Sequence, residues 1–364
     1  MHRHNHSKLL AVMLACPMGL GCSDSGSANH GGDLRVTVSA ESLGANGYPF
    51  PPGPGNELAF VDGWEVRFDR IIVVIGKIRV SEQPDKNPGD QGQVGATVVE
   101  RKGPFVVDLK RAGTDLDKGG AGKVAVRLPI DDLKDLFDLE QRYAFSYDLV
   151  PATADAQRVN LDPNDPDVEA MIAAQERVLL TGTATFRGTN CSTADPNYDF
   201  SKAPGTVRFR FGLSGAVSYD NCQNPDNTGT PISGEENQRG IQLLPHTSTV
   251  AQITIHTDHL FWPTIGHENL PFFDQFALNA VPQPDSSYVV NLEDLATVPV
   301  PTLTDRSHSP IPWRSCLPVL YPLPTRPNVT FDTGSQAIAN LRDFVEFNAR
   351  SMGHLNADGL CYVR

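Results

Sequence analysis

Trp64-Glu65-Val66-Arg67-Phe68-Asp69-Arg70-Ile71-Ile72-Val73-Val74-Ile75-Gly76-Lys77-Ile78-Arg79-Val80 reads as one long strand in two parts. In the first part Trp64, Val66 and Phe68 share a face, with Glu65, Arg67 and Asp69 opposite, the period of two that a half-buried strand imposes. From Ile71 the run is apolar on both faces, then alternates again with Lys77 and Arg79. That pattern belongs to a buried strand at the centre of a sheet. Trp64 therefore reads as core and not as a ligand-stacking ring.

The flanking sequence agrees with a β-rich chain. Leu34 to Ala40 alternates as a strand, and further strand candidates are 94–100, 104–109, 123–128, 142–149, 178–186, 205–211 and 249–257. The 29 Pro and 31 Gly fall largely between these runs, as turn and loop formers. Helices are few. Asp131 to Phe137 has room for one or two helical turns. Asp165-Pro166-Asp167 is a good helix start, with Asp165 as N-cap and Pro166 at the first helical position. Gln336 to Arg350 carries the apolar stripe Ile338, Leu341, Val345, with Ser335 as cap and Gly353 as stop. The expected fold is mainly β: an antiparallel β-sandwich with few helices and a helical, disulfide-tied C-terminal segment.

The N-terminus predicts export. Arg3 and Lys8 precede the apolar stretch Leu9 to Leu14, too short for the roughly 20 residues of a membrane-spanning helix. Small residues lead to Cys22, followed by the polar run Ser23-Asp24-Ser25-Gly26-Ser27. This is the layout of a bacterial lipoprotein signal, with Cys22 as the lipidated thiol, although Gly19 stands where an aliphatic residue is usual. Cys16 offers a competing site. The expected organisation is a signal peptide over 1–21 and a flexible tether over 22–33. A β-sandwich domain over 34–285 follows, and then a Pro-rich crossover and helical segment over 286–364. The expected location is an outer membrane, reached through the lipid anchor, with the membrane as partner. The net charge of −13 argues against nucleic acid.

Beyond the leader stand Cys191, Cys222, Cys316 and Cys361. An even number in an exported chain reads as disulfides. Three pairings exist. Cys191–Cys222 with Cys316–Cys361 is favoured here because each closes a local loop; a four-thiolate zinc site is disfavoured by the lack of any CxxC pair.

Four of the ten His lie between His246 and His267. Within Thr254-Ile255-His256-Thr257-Asp258-His259, strand alternation puts His256 and Asp258 on the polar face, and a turn after Asp258 brings His259 to the same point. Two imidazoles and a carboxylate suit zinc, copper or another transition metal. Apolar neighbours Leu260, Phe261, Trp262, Phe272 and Phe273 make an unpaired charge costly there, although a polar strand end with surface histidines has the same composition. Asp274 is a candidate fourth ligand or His-orienting group. His354 or Asp358, in Gly353-His354-Leu355-Asn356-Ala357-Asp358-Gly359-Leu360-Cys361, could complete the site from the C-terminus. Glu41 and Asp62 are candidate bases for a hydrolytic version. Asn160 to Glu169 alternates oxygen-bearing side chains as calcium loops do, but lacks the required Gly. No GxSxG, HExxH or phosphate loop is present.

Val61-Asp62-Gly63-Trp64-Glu65-Val66-Arg67-Phe68, Val106-Val107-Asp108-Leu109 and the two His-bearing segments together resemble a group of uncharacterised bacterial cell-surface lipoproteins. That likeness implies no particular activity. The Asp-Gly-Trp strand is also similar to methanobactin-associated periplasmic copper-binding partner proteins, which implies a β-sandwich and transfers no ligands.

Overall fold

The computed structural model describes residues 33–54, 58–111, 125–130, 133–134, 137–193, 200–263, 270–298, 314–317 and 338–364. The leader with Cys16 and Cys22, His267, Ser335 and most of the Pro-rich crossover lie outside them.

The elements that position the site are, in chain order, β1 (Asp33–Ser39), α1 (Glu41–Asn46), β2 (Trp64–Ser81), β3 (Thr97–Arg101), β4 (Phe105–Asp108), β5 (Arg142–Leu149), α2 (Pro166–Ala174), β6 (Glu176–Phe186), β7 (Thr206–Ser214), β8 (Val217–Asp220), β9 (Ser248–Ile255), α3 (Asp274–Ala277), β10 (Tyr288–Asn291), α4 (Leu341–Ala349), β11 (Gly353–Leu355), β12 (Gly359–Leu360) and β13 (Tyr362–Val363). Two main sheets face each other, and the chain is mainly β. The larger runs β10-β7-β6-β2-β5-β8-β13, with β3 and β4 on the outer side of β2. The smaller runs β12-β11-β9-β1. Most ladders are antiparallel. The β1–β9 pair is parallel, in register from Asp33↔Ser248 to Ser39↔Thr254, and pairs two strands more than 200 residues apart in sequence.

The strand β2 explains its own sequence. Ile71, Val73 and Ile75 enter the core between the sheets; Ile72 and Val74 enter a second, small core with Val106, Val168, Met171 and Leu179 beneath α2. Both faces of Ile71 to Ile75 are thus covered, so neither can be polar. Trp64 is fully buried in the main core, ringed by Phe186 and Phe273.

Asp165 caps α2, accepting from the Asp167 amide, with Pro166 in the first turn. The acids here do not frame a cation site. Arg70 donates to Asp108, Asp165 and Asp167 at 2.8–2.9 Å, supplying the positive charge itself.

Three expectations are corrected. Leu133–Lys134 pairs with β1 and is strand, not helix, because a neighbouring edge was available to it. The last helix starts at Leu341, capped by Asn340, whose side chain accepts from the Asp343 amide. The disulfides are Cys191–Cys316 and Cys222–Cys361, so neither closes a local loop. The sheet order sets them: β13, which follows Cys361, lies beside β8, which precedes Cys222.

Candidate metal centre

The strand β9 ends at Ile255, two residues earlier than the 249–257 expected from the sequence, and Thr257–Phe261 forms a short 3-10 helix. Three residues per turn bring i and i+3 onto one side. His256 and His259 therefore face together, ring centroids 5.3 Å apart, with Asp258 between them. Ligand atoms of His256, Asp258 and His259 all lie within 4.8 Å of one another, which makes these residues a candidate metal-binding triad. Asp258 and His259 are buried, and His256 is partly so.

The C-terminal segment supplies the rest. The ladder β9–β11 pairs Thr254 with His354, so the His354 ring stacks against His256 at a centroid distance of 4.3 Å and lies 5.4 Å from His259. The turn after β11 is held on β9 from both sides. Gln252 N–H donates to Asn356 Oδ1, Asn356 N–H to the Gln252 carbonyl, and Ala357 N–H to Thr254 Oγ1. These bonds keep Asn356 and Ala357 at φ of 50° and 74°, a region that costs an alanine about 1 kcal/mol or more.

That turn and Ser351 fix the imidazole tautomers. His256 Nε2 lies 3.1 Å from the Ala357 carbonyl, which can only accept, so the proton is on Nε2 and the lone pair on Nδ1. Ser351 Oγ donates to the Asn348 carbonyl at 2.7 Å. It must then accept from His259 Nδ1 at 3.0 Å, which puts that ring's lone pair on Nε2. His354 Nε2 is 3.1 Å from the Ser351 carbonyl, which assigns its lone pair to Nδ1. In its neutral form each ring donates through one nitrogen and has its basic lone pair on the other, the arrangement that metal-ligating histidines adopt.

Burial pushes the Asp258 carboxyl above its ordinary range; a hydrogen bond from Trp262, and a positive charge on His256 whenever that ring is protonated, oppose the rise. Tyr48 shares a 2.9 Å hydrogen bond with Thr257, and its hydroxyl lies 3.5 Å from Asp258 Oδ1. Burial beside Asp258 holds the Tyr48 phenol well above its usual range, so it stays protonated. A bound cation would repay the cost of ionising Asp258 here.

The cluster lines an open pocket of about 460 Å3, together with Trp262, Leu270, Leu360, Glu236 and Asp358. Glu41 approaches from the N-terminus of α1, 4.0 Å from His256 Nε2.

Asp274 and Asp62 are placed elsewhere. Asp274 accepts from Trp64 Nε1 at 2.8 Å and from Arg314 at 2.9 and 2.7 Å. Its oxygens are spent on that network, so it is neither a ligand nor a partner of the three imidazoles. Asp62 accepts from the Phe273 and Asp274 amides, both at 2.6 Å. His246 is exposed and outside the cluster. Ser351 and the Ala357 carbonyl carry no local sequence signal as His partners; only the β9–β11 register brings them there. No family model, curated protein or solved structure matches the chain.

Proposed function

We propose that this protein is an exported, lipid-anchored β-sandwich that binds one transition metal ion, zinc or copper, through His256 Nδ1, Asp258 and His259 Nε2, with His354 Nδ1 completing the set. The carrying observation is the tautomer assignment: three converging rings, each donating one N–H to Ser351 or Ala357. The ligand types suit zinc or copper and not calcium or magnesium. The open pocket and its acidic Glu236 and Asp358 favour a captured, exchangeable ion over a purely structural one. Export is supported by the leader pattern and by two disulfides.

Elemental analysis of the mature domain, purified without a tag or chelator, tests the site. Close to one metal ion per chain is expected, and none in His256→Ala, His259→Ala. Metal-free wild-type protein that also fails to bind added zinc or copper would refute the reading. Cys22→Ser should move the protein from the membrane fraction to the soluble fraction; retention in the membrane would overturn the anchor assignment.

A second reading is metal-dependent hydrolysis, favoured by the pocket and by Glu41 beside His256. It requires Glu41→Gln to keep the metal and lose hydrolysis of activated esters or phosphoesters.

A further inference from the structure

A second pocket, of about 370 Å3, opens between α4 and the turn that joins β7 to β8. Arg177, near the start of β6, lines it and is 2 % exposed. One guanidinium nitrogen donates to the Ser214 carbonyl, and Nε has no partner among the described residues. The adjacent acid, Glu176, is taken by Arg210 through two 2.9 Å bonds, so it cannot neutralise Arg177. Among the described residues Arg177 has no carboxylate within ion-pair distance. A buried guanidinium in that state is strongly unfavourable unless an anion joins it.

The other charges in the pocket come from α4. Arg350 also faces it and has no side-chain partner among the described residues. Asp343 is occupied, accepting from the Ala339 amide and pairing with Arg342. Glu346 lines the same pocket and makes no hydrogen bond or ion pair among the described residues. Burial raises its carboxyl, while Arg177 and Arg342 oppose that rise. Two unpaired guanidinium groups against one carboxylate leave the pocket short of one negative charge.

We propose that this pocket binds a small monocarboxylate, its planar oxygens held by Arg177 and Arg350 and a hydroxyl or ammonium on the same ligand donating to Glu346. A carboxylate matches the guanidinium fork in two parallel bonds. A dianionic phosphate or sulfate would be repelled by Glu346. The volume admits a ligand of a few heavy atoms and lies at the small end of ligand sites.

Calorimetry and thermal shift of the full chain, at constant ionic strength, use acetate, lactate, glycine, sulfate and chloride as probes. Lactate or glycine should bind and raise Tm, acetate more weakly, sulfate and chloride not at all. Arg177→Met, which keeps the stem volume, should abolish binding, and Arg350→Gln should weaken it about tenfold. Wild-type protein that binds none of the carboxylates, or that responds equally to sulfate, overturns the proposal. So does binding that survives Arg177→Met. If Arg177→Met does not fold, the half-buried Arg350 decides: unchanged affinity in Arg350→Gln refutes the site.

Discussion

Asp62 is fully buried, and Arg314, the cation that acts on it among the described residues, donates to Asp274 instead. Burial and the Asp274 charge hold the Asp62 carboxyl well above its ordinary 3.8, against two amide hydrogen bonds that lower it. The folded chain therefore keeps a proton that the unfolded chain releases above about pH 4. Folding stability from this group is complete below the unfolded value and declines as pH rises toward the folded one. Asp62→Asn retains an oxygen for the Phe273 and Asp274 amides and removes the titration. Urea denaturation of the metal-free protein should show a shallower loss of stability between pH 5 and 7 in Asp62→Asn than in wild type. Asp62→Ala orphans two buried amides and should cost about 1–3 kcal/mol at any pH in that range. An unchanged pH slope in Asp62→Asn would mean that Asp62 is ionised in the fold.

At the scale of elements, the site depends on β11 lying against β9. Gly353 makes that possible: a Cβ there would meet Tyr147 Oη and the Tyr219 ring at 2.5 Å. Those two rings are stacked and fully buried, so they cannot retreat. Gly353→Ala should cost about 1–3 kcal/mol as overpacking and shift His354 away from His256. Metal affinity should fall with stability, while Gly205→Ala, where nothing lies within 4 Å, leaves both unchanged. Chemical denaturation and metal titration of the two variants check this. The legible and illegible parts of the sequence divide along the same line. The alternation of Trp64 to Phe68, the doubly apolar Ile71 to Ile75 and the Asp165-Pro166 cap are local patterns, and the structure follows them. His256, Asp258 and His259 were findable because they are adjacent in sequence, although the 3-10 turn and not a strand face gathers them. Asp274 misled because its partner, Arg314, arrives from a distant segment with no periodicity of its own. The disulfides misled for a similar reason. Short loop closure is the only local criterion, and sheet order outweighs it.

For the whole molecule, the two disulfides divide the labour. Cys191–Cys316 spans 125 residues and anchors the short ribbon of Ser192–Thr193 with Arg314–Ser315, which delivers Arg314 to Asp274 and over the Phe186 ring. Cys222–Cys361 spans 139 residues and ties the end of β8 to the segment carrying His354 and Ala357. In the chain-entropy model each closure contributes up to about 5 kcal/mol, so the two should matter almost equally to stability. They should differ in what else they hold. Cys222→Ser with Cys361→Ser frees the C-terminal strands that orient all three imidazoles, and should lower metal affinity at least tenfold along with Tm. Cys191→Ser with Cys316→Ser should lower Tm by a similar amount through the loosened Arg314 and the Asp274 carboxylate it leaves behind. Its metal affinity, measured below the new Tm, should stay within about threefold of wild type, because β9, β11 and the 3-10 turn keep their own ladders. Equal losses of affinity in both variants would show that the sandwich responds as one cooperative body, with the metal centre reading global stability and not the local tie.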